Sequence, residues 1–224
     1  MKVTFHGHAC LAIELADGTK LLIDPFITGN PLTDVNVEEL KADYILITHG
    51  HHDHIGDMEA IAQKNQATVI AIAEIAGFAA SKGLKSHGMN VGGSYQFPFG
   101  RVKFVPALHS SSYQNDGVVT YMGEACGIIL EAEGQKIYHA GDTALFSDMK
   151  LFKEDQPIDL AFLPIGDNFT MGPADALKAA EWLQAKQVVP IHYNTFPAIH
   201  QDAKAFAEKV AGARVLNAGD TMSL

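Results

Sequence analysis

The amino-acid sequence predicts an α/β fold of four layers, an αββα sandwich, with two sheets packed together and helices on their outer faces. Three observations predict it. Each half of the chain opens with consecutive strand-like apolar runs and continues into strand–helix alternation. No Pro/Gly/Ser-rich linker, low-complexity tract or tandem repeat interrupts the pattern, so residues 1–224 read as a single domain. Each cluster of residues able to bind a cation directly follows a strand-like run, where a sheet edge holds side chains rigidly over a cleft.

The elements follow in order. The short runs VTFHGH, CLAIEL and KLLIDP read as strands, with Asp17-Gly18 as the turn between the second and third. Tyr44 to Thr48 (YILIT) is nearly continuous in apolar residues, the pattern of a strand buried on both faces. A helix is predicted over 55–65, then a strand ATVIAI, then a helix near 74–82. The second half supplies strands RVKFVPAL, ACGIILEA, QKIYHA and DLAFLPIG, a helix over 174–185, strand QVVPIH, a helix over 202–211 and a last strand RVLNA.

With 47% apolar and 19% charged residues, the composition is that of an ordinary globular protein. A net charge of −10 disfavours nucleic acid and anionic membrane as partners, since both attract basic surfaces, and leaves a small-molecule substrate as the expected one. A homo-oligomer is compatible with the sequence. The start MKVTFHGHAC has no apolar signal segment, and no stretch approaches 18 uninterrupted apolar residues, so the expected location is cytoplasmic. Cys10 and Cys126 lie inside apolar runs and read as buried reduced thiols.

The stretch Thr48 to Gly56, THGHHDHIG, gathers four of the 11 histidines around one aspartate. Crowded imidazoles are unfavourable once any pair is protonated, and become favourable when a cation takes their lone pairs. His49 and His51 alternate on an extended segment and can face one way, while Asp53 and His54 follow on the turn into the helix. One cation could take His49, His51 and His109, and a second Asp53, His54 and His192. Asp142, with two oxygens, could bridge them. Each ion would keep an open position for water, the mark of a catalytic site, whereas a closed structural zinc site would use cysteines in suitable spacing.

The H-x-H-x-D-H pattern of His49, His51, Asp53 and His54 resembles the signature of the metallo-β-lactamase-fold hydrolases. The later His109, the Gly141-Asp142-Thr143 segment and His192 match that family's remaining motifs in order. Within it, FHGHACLAIE and HAGDT are similar to metal-dependent hydrolases related to ascorbate 6-phosphate lactonase. The resemblance implies two divalent metals sharing a bridging hydroxide. Such ions lower the pKa of bound water toward ~7, and a pair ~3.5–4 Å apart polarises the attacked oxygen. Asp53 would orient that water and accept its proton. Zinc is the expected metal; manganese, iron, nickel and cobalt suit the same ligands.

Other candidates are weaker. Asp24, ahead of Pro25, reads as an acceptor for a ligand histidine N–H or as a turn cap. His8 and His139 lie near strand ends and could line the cleft; Asn168 and Thr170, after another strand end, offer neutral hydrogen-bonding groups to a substrate or simply form a turn. His52, at the variable position of the motif, and His6 read as structural, while His87 and His200 read as exposed in loops. The expected function is hydrolysis of a small ester, lactone or phosphoester. A phosphodiesterase or nuclease of the same fold is the alternative, opposed by the acidic charge, and a metal-binding module without turnover is the non-enzymatic one.

Overall fold

The computed structural model describes residues 1–224. The first half comprises β1 (Lys2–Phe5), β2 (Leu11–Glu14), β3 (Lys20–Ile23), β4 (Tyr44–Leu46), α1 (His52–Ile55), α2 (Met58–Asn65), β5 (Thr68–Ile72), α3 (Ala73–Ser81), β6 (Lys85–Met89) and β7 (Ser94–Phe97). Next come β8 (Gly100–Pro106), β9 (Ser112–Asn115), β10 (Val118–Tyr121), β11 (Cys126–Ala132), β12 (Gln135–His139), β13 (Leu160–Pro164), α4 (Pro173–Leu183), β14 (Gln187–Ile191), α5 (Ala203–Ala207) and β15 (Thr221–Ser223).

A seven-stranded sheet has the order β15-β1-β2-β3-β4-β5-β6, and a six-stranded sheet the order β14-β13-β12-β11-β8-β7. Each sheet is antiparallel in one part and parallel in the other: β3 through β6 run parallel, as do β12 through β14. Strand alternation builds the layers. Leu21, Ile23, Leu46 and Ile70 turn inward to meet Phe104, Ile128, Leu130, Phe162 and Ile191 between the sheets. Their neighbours Leu22, Ile45, Ile47 and Val69 turn outward against Met58, Ile61 and Ile75 of α2 and α3. On the far side, Ile129, Tyr138, Ala161 and Leu163 meet Ala176, Ala179, Ala180 and Leu183, which recur along α4 at the spacing of one helical face. These are the four expected layers.

Several elements differ from expectation. The helix over 55–65 is broken at Gly56-Asp57 into α1 and α2, because Gly56 takes a left-handed φ of 39° and a side chain there would collide with the Pro25 carbonyl. RVLNA forms no strand. The residue before it, Ala213, makes an isolated bridge to Val188, and the last strand is β15, which pairs with β1. The helix over 202–211 is limited to α5, capped by the Asp202 carboxylate. Strands β6, β7, β9 and β10 were not apparent in the sequence.

Candidate metal centre

The continuations of β4, β8, β12 and β14 meet at one edge of the sandwich and bring the expected ligands together. The ring nitrogens of His49, His51 and His109 form one group, with donor atoms within 4.8 Å of one another. Nδ1 of His51 lies 3.0 Å from Nε2 of His49 and 3.2 Å from Nε2 of His109. Asp53, His54 and His192 form a second group, joined by His8. Asp142 stands between them. Its Oδ2 is 3.0 Å from Nε2 of His192, 3.5 Å from that of His109 and 3.9 Å from that of His49, and its Oδ1 is 3.2 Å from Nε2 of His54.

Local sequence explains the arrangement. After β4 the chain stays extended to His51, whose φ of −66° and ψ of 150° place it just before α1, so Asp53 and His54 rise on the first helical turn. Gly50 is required by packing, because a Cβ there would run into the Met122 side chain. His8, Asp24 and His192 all take left-handed backbone, with φ of 56°, 47° and 54°. Non-glycine residues adopt it rarely, and such strain concentrates at functional sites. The His192 N–H donates to the His8 carbonyl at 2.8 Å, locking two of these turns together across the sheets.

Buried Asp24 orients two rings at once. It accepts the Thr48 N–H at 2.9 Å and the Thr48 hydroxyl at 2.6 Å, and pairs with Nδ1 of His54 at 2.8 Å. A carboxylate only accepts, so His54 keeps a proton on Nδ1, and Nε2 is the nitrogen turned to the centre. Having donated to Asp24, the Thr48 hydroxyl must accept from Nδ1 of His49, 3.0 Å away, which frees Nε2 of His49 in the same way. His8 holds Asp53: its Nε2 lies 3.1 Å from Oδ2, donating to that carboxylate, and its Nδ1 faces the Thr195 hydroxyl at 2.8 Å.

The charges are strongly coupled. Burial opposes protonation of His192, yet Asp142 outweighs it and holds the imidazole up to about 9. Burial is likewise outweighed at His54, where Asp142 and Asp24 hold the ring well above its ordinary range. Burial would raise the carboxyls of Asp142 and Asp53, but the neighbouring histidines keep both well below the usual carboxylate range. Burial and then the charge of His192 bring His8 down to about 4, and burial depresses His49. Burial, followed by the Asp24 charge, pushes both free cysteine thiols up, and neither belongs to a group of candidate metal donors.

The donor set fits divalent cations. Nε2 of His54, both ring nitrogens of His192 and Oδ1 of Asp142 are buried without a hydrogen-bond partner. Such orphans are rare in folded proteins, and three of these four atoms face the common centre between the two ligand groups. Imidazole and carboxylate donors of this kind suit zinc and its neighbours.

The remaining candidates separate. His139 does not line the cleft: Nε2 donates to the Ala9 carbonyl at 2.9 Å and Nδ1 accepts from the Gly141 N–H at 3.1 Å, so both nitrogens serve to pin the turn before Asp142. Asn168 is exposed, and the Thr170 hydroxyl bonds the Met171 carbonyl, while the Met171 N–H ties this loop to the Thr143 carbonyl. His52 is exposed and edge-on to Phe26, turned from the centre, and His6 pairs with Asp34 at 2.8 Å. His87 sits on β6 against Tyr95 and Phe97 instead of in a loop. Sequence reasoning gave no role to Thr48 and Thr195, and met Thr143 only as part of the Gly141-Asp142-Thr143 segment. Thr48, next to the motif, could have been noticed; Thr195 acts through a contact that no local pattern encodes.

The family described as "Beta-lactamase superfamily domain" matches residues 19–193. A UPF0173 metal-dependent hydrolase of Enterococcus faecalis is 67% identical over 222 residues, 99% of each chain. The UPF0173 metal-dependent hydrolase YtkL of Bacillus subtilis is 56% identical over 228 residues, 100% of each chain. Among solved structures, Igni18, described as a novel metallo hydrolase from the archaeon Ignicoccus hospitalis, superposes with a TM-score of 0.90 at 37% identity, covering 100% of this chain and 98% of that one.

Proposed function

The chain belongs to the β-lactamase superfamily and, within it, to the UPF0173 metal-dependent hydrolases, and we propose that its centre takes two divalent cations and cleaves a small ester, lactone or phosphoester. The observation that carries this reading is Asp142, whose two oxygens face both histidine groups. His49, His51 and His109 would hold one ion, and Asp53, His54 and His192 the other, with Asp142 shared. Zinc is the proposed ion. Bound there, the ions would supply Lewis acidity, acidifying a water toward a pKa of ~7 and polarising the oxygen of the scissile group.

The chain's own residues do the rest. Asp53 has a side chain 26% exposed, so its carboxylate reaches the open side of the centre, where it orients water and accepts a proton. His8 fixes that carboxylate through Oδ2, and Thr195 fixes His8. Asp24 sets the tautomers of His54 and His49. The likeness of FHGHACLAIE and HAGDT to ascorbate 6-phosphate lactonase supports a lactone or ester bond as the one cleaved. The acidic net charge supports a small-molecule substrate over nucleic acid. No helix is long and apolar enough to cross a membrane.

The test is metal-reconstituted protein assayed against phosphodiesters, phosphomonoesters, lactones and thioesters, beside metal-free protein and Asp142→Ala. Turnover that needs both metal and Asp142 is expected. Turnover that ignores either one would overturn the reading.

A further inference from the structure

We propose that the substrate is an uncharged carboxylic ester or lactone bearing an apolar group, and that anionic substrates are excluded by the mouth of the centre. This rests on the hydrolase reading above and narrows it.

The first observation is where the cations are. The connections at the ligand-bearing edge, residues 6–10, 24–36, 48–57, 107–125, 140–148, 166–172, 192–202 and 216–220, carry none of the 16 lysines and arginines. Proteins that recognise a phosphate or carboxylate handle on a small molecule place Arg, Lys or a helix N-terminus against it. These connections supply no Lys or Arg for that. The same connections carry exposed acids instead: Asp34, Asp116, Glu124 and Asp167. A rim of one sign lowers the local concentration of like-charged ligands.

The cavities agree. A cavity of about 470 Å³ opens beside His8, lined by Phe5, Leu32, Thr33, Asp34, Tyr193 and Leu216 among others, with Asp34 its one charged side chain and His8 its one imidazole. Three cavities that do hold lysines, one with Lys2, Lys20 and Lys41, another with Arg101, Lys103 and Lys136 and a third with Lys209, include none of the candidate ligands.

The third observation is apolar surface at the mouth. Leu108 and Phe169 are each 56% exposed. Both are tied to the residue after Asp142: the Leu108 N–H donates to the Thr143 hydroxyl at 3.0 Å, and the loop of Phe169 is held through Met171 to the Thr143 carbonyl at 2.9 Å. The hairpin of β9 and β10 exposes Val118, Val119 and Tyr121, and its base rests on the ligand segment, where Ser111 accepts the Gly50 N–H at 3.1 Å. Exposed apolar side chains such as Leu108 and Phe169, tied to segments that carry a polar centre, mark a place where an apolar group is covered on binding.

The reaction follows. The oxygen of water bonds to the acyl carbon and the acyl C–O bond breaks. A proton passes by way of Asp53 to the departing alkoxide, giving one carboxylic acid and one alcohol. The product acid is anionic, so the acidic rim also favours its departure.

The experiment compares matched pairs on the metal-reconstituted full chain: p-nitrophenyl hexanoate against p-nitrophenyl phosphate and bis-p-nitrophenyl phosphate, and a lactone with and without a carboxylate substituent, each at low and high salt. The expected result is kcat/KM at least ~10-fold higher for each uncharged member. Any residual activity on the anionic member should rise with salt as repulsion is screened, while the neutral member should be insensitive. Phe169→Lys should narrow the gap by improving the anionic substrate. Equal or better turnover of the anionic members, or anionic activity that falls with salt, overturns the substrate class and leaves the hydrolase reading standing. No turnover of any member by protein that binds metal overturns the hydrolase reading itself.

Discussion

Asp24 and His54 are both fully buried, with Oδ2 of one 2.8 Å from Nδ1 of the other, and the same oxygen accepts the Thr48 hydroxyl that orients His49. One carboxylate thus presets a ring in each of the two ligand groups. Asp24→Asn should remove an acceptor at one of these bonds and let the rings rotate or change tautomer. Metal affinity should fall by ~10–100-fold with the fold retained. Isothermal titration with zinc and a circular dichroism spectrum check this; unchanged affinity would discard the relay.

Two divalent ions per chain are expected at saturation, read by elemental analysis of fully loaded protein. Asp142→Ala removes the one carboxylate facing both groups, so stoichiometry and turnover should both fall. His52→Ala, an exposed neighbour in the same motif, should leave both unchanged. A His52→Ala protein that lost its metal would show that the faces of the motif are misassigned.

Asp53→Asn keeps size and one oxygen donor but loses charge and basicity. Hydrolysis should drop by ~10²-fold or more even where metal remains. His8→Ala should give a smaller loss, concentrated in kcat, because it frees the Asp53 carboxylate without removing it. Equal rates for wild type and Asp53→Asn would end its proposed role.

Metal uptake should release protons. In the metal-free chain His192, held up to about 9, and His54, held well above its ordinary range, are protonated at neutral pH, and both must lose that proton to bind an ion. About two protons per chain should appear near pH 7.5, measured as the dependence of calorimetric heat on buffer ionisation. Apparent affinity should climb with pH up to about 9. The stability that His192 adds to the metal-free fold has the opposite slope: it is complete below the unfolded value near 6.5 and disappears as pH rises through about 9.

Much of the candidate centre was legible because its residues either neighbour one another in sequence or follow apolar strands that reveal themselves. His49, His51, Asp53 and His54 sit within six positions, and His109, Asp142 and His192 each trail a buried strand. What stayed hidden is held by contacts between distant segments. His8 and Thr195 are 187 positions apart, and neither carries a local sign of the other. The β9–β10 hairpin escaped notice because its residues are mostly exposed and show no alternation of apolar and polar side chains. His139 misled for a related reason: a histidine at a strand end reads the same whether it faces the cleft or, as here, spans two backbone groups. RVLNA shows the limit of short apolar runs: it forms no strand, and the last strand is TMS, which begins seven residues after RVLNA does.

The candidate ligands are divided between the sheets: His49, His51, Asp53 and His54 extend from the first, and His109, Asp142 and His192 from the second. An ion held by both would therefore be a clasp across the sandwich, tying Asp53 to His192, 139 residues apart, much as a disulfide would. Since ions bind the folded chain in preference to the unfolded one, their free concentration becomes a dial on its persistence. Stripping them should first loosen the ligand-bearing edge, leaving the opposite edge and the inter-sheet core closed. Limited proteolysis of chelated protein should accordingly cut within residues 107–125 or 192–202 before anywhere else, and restoring zinc should protect both segments together.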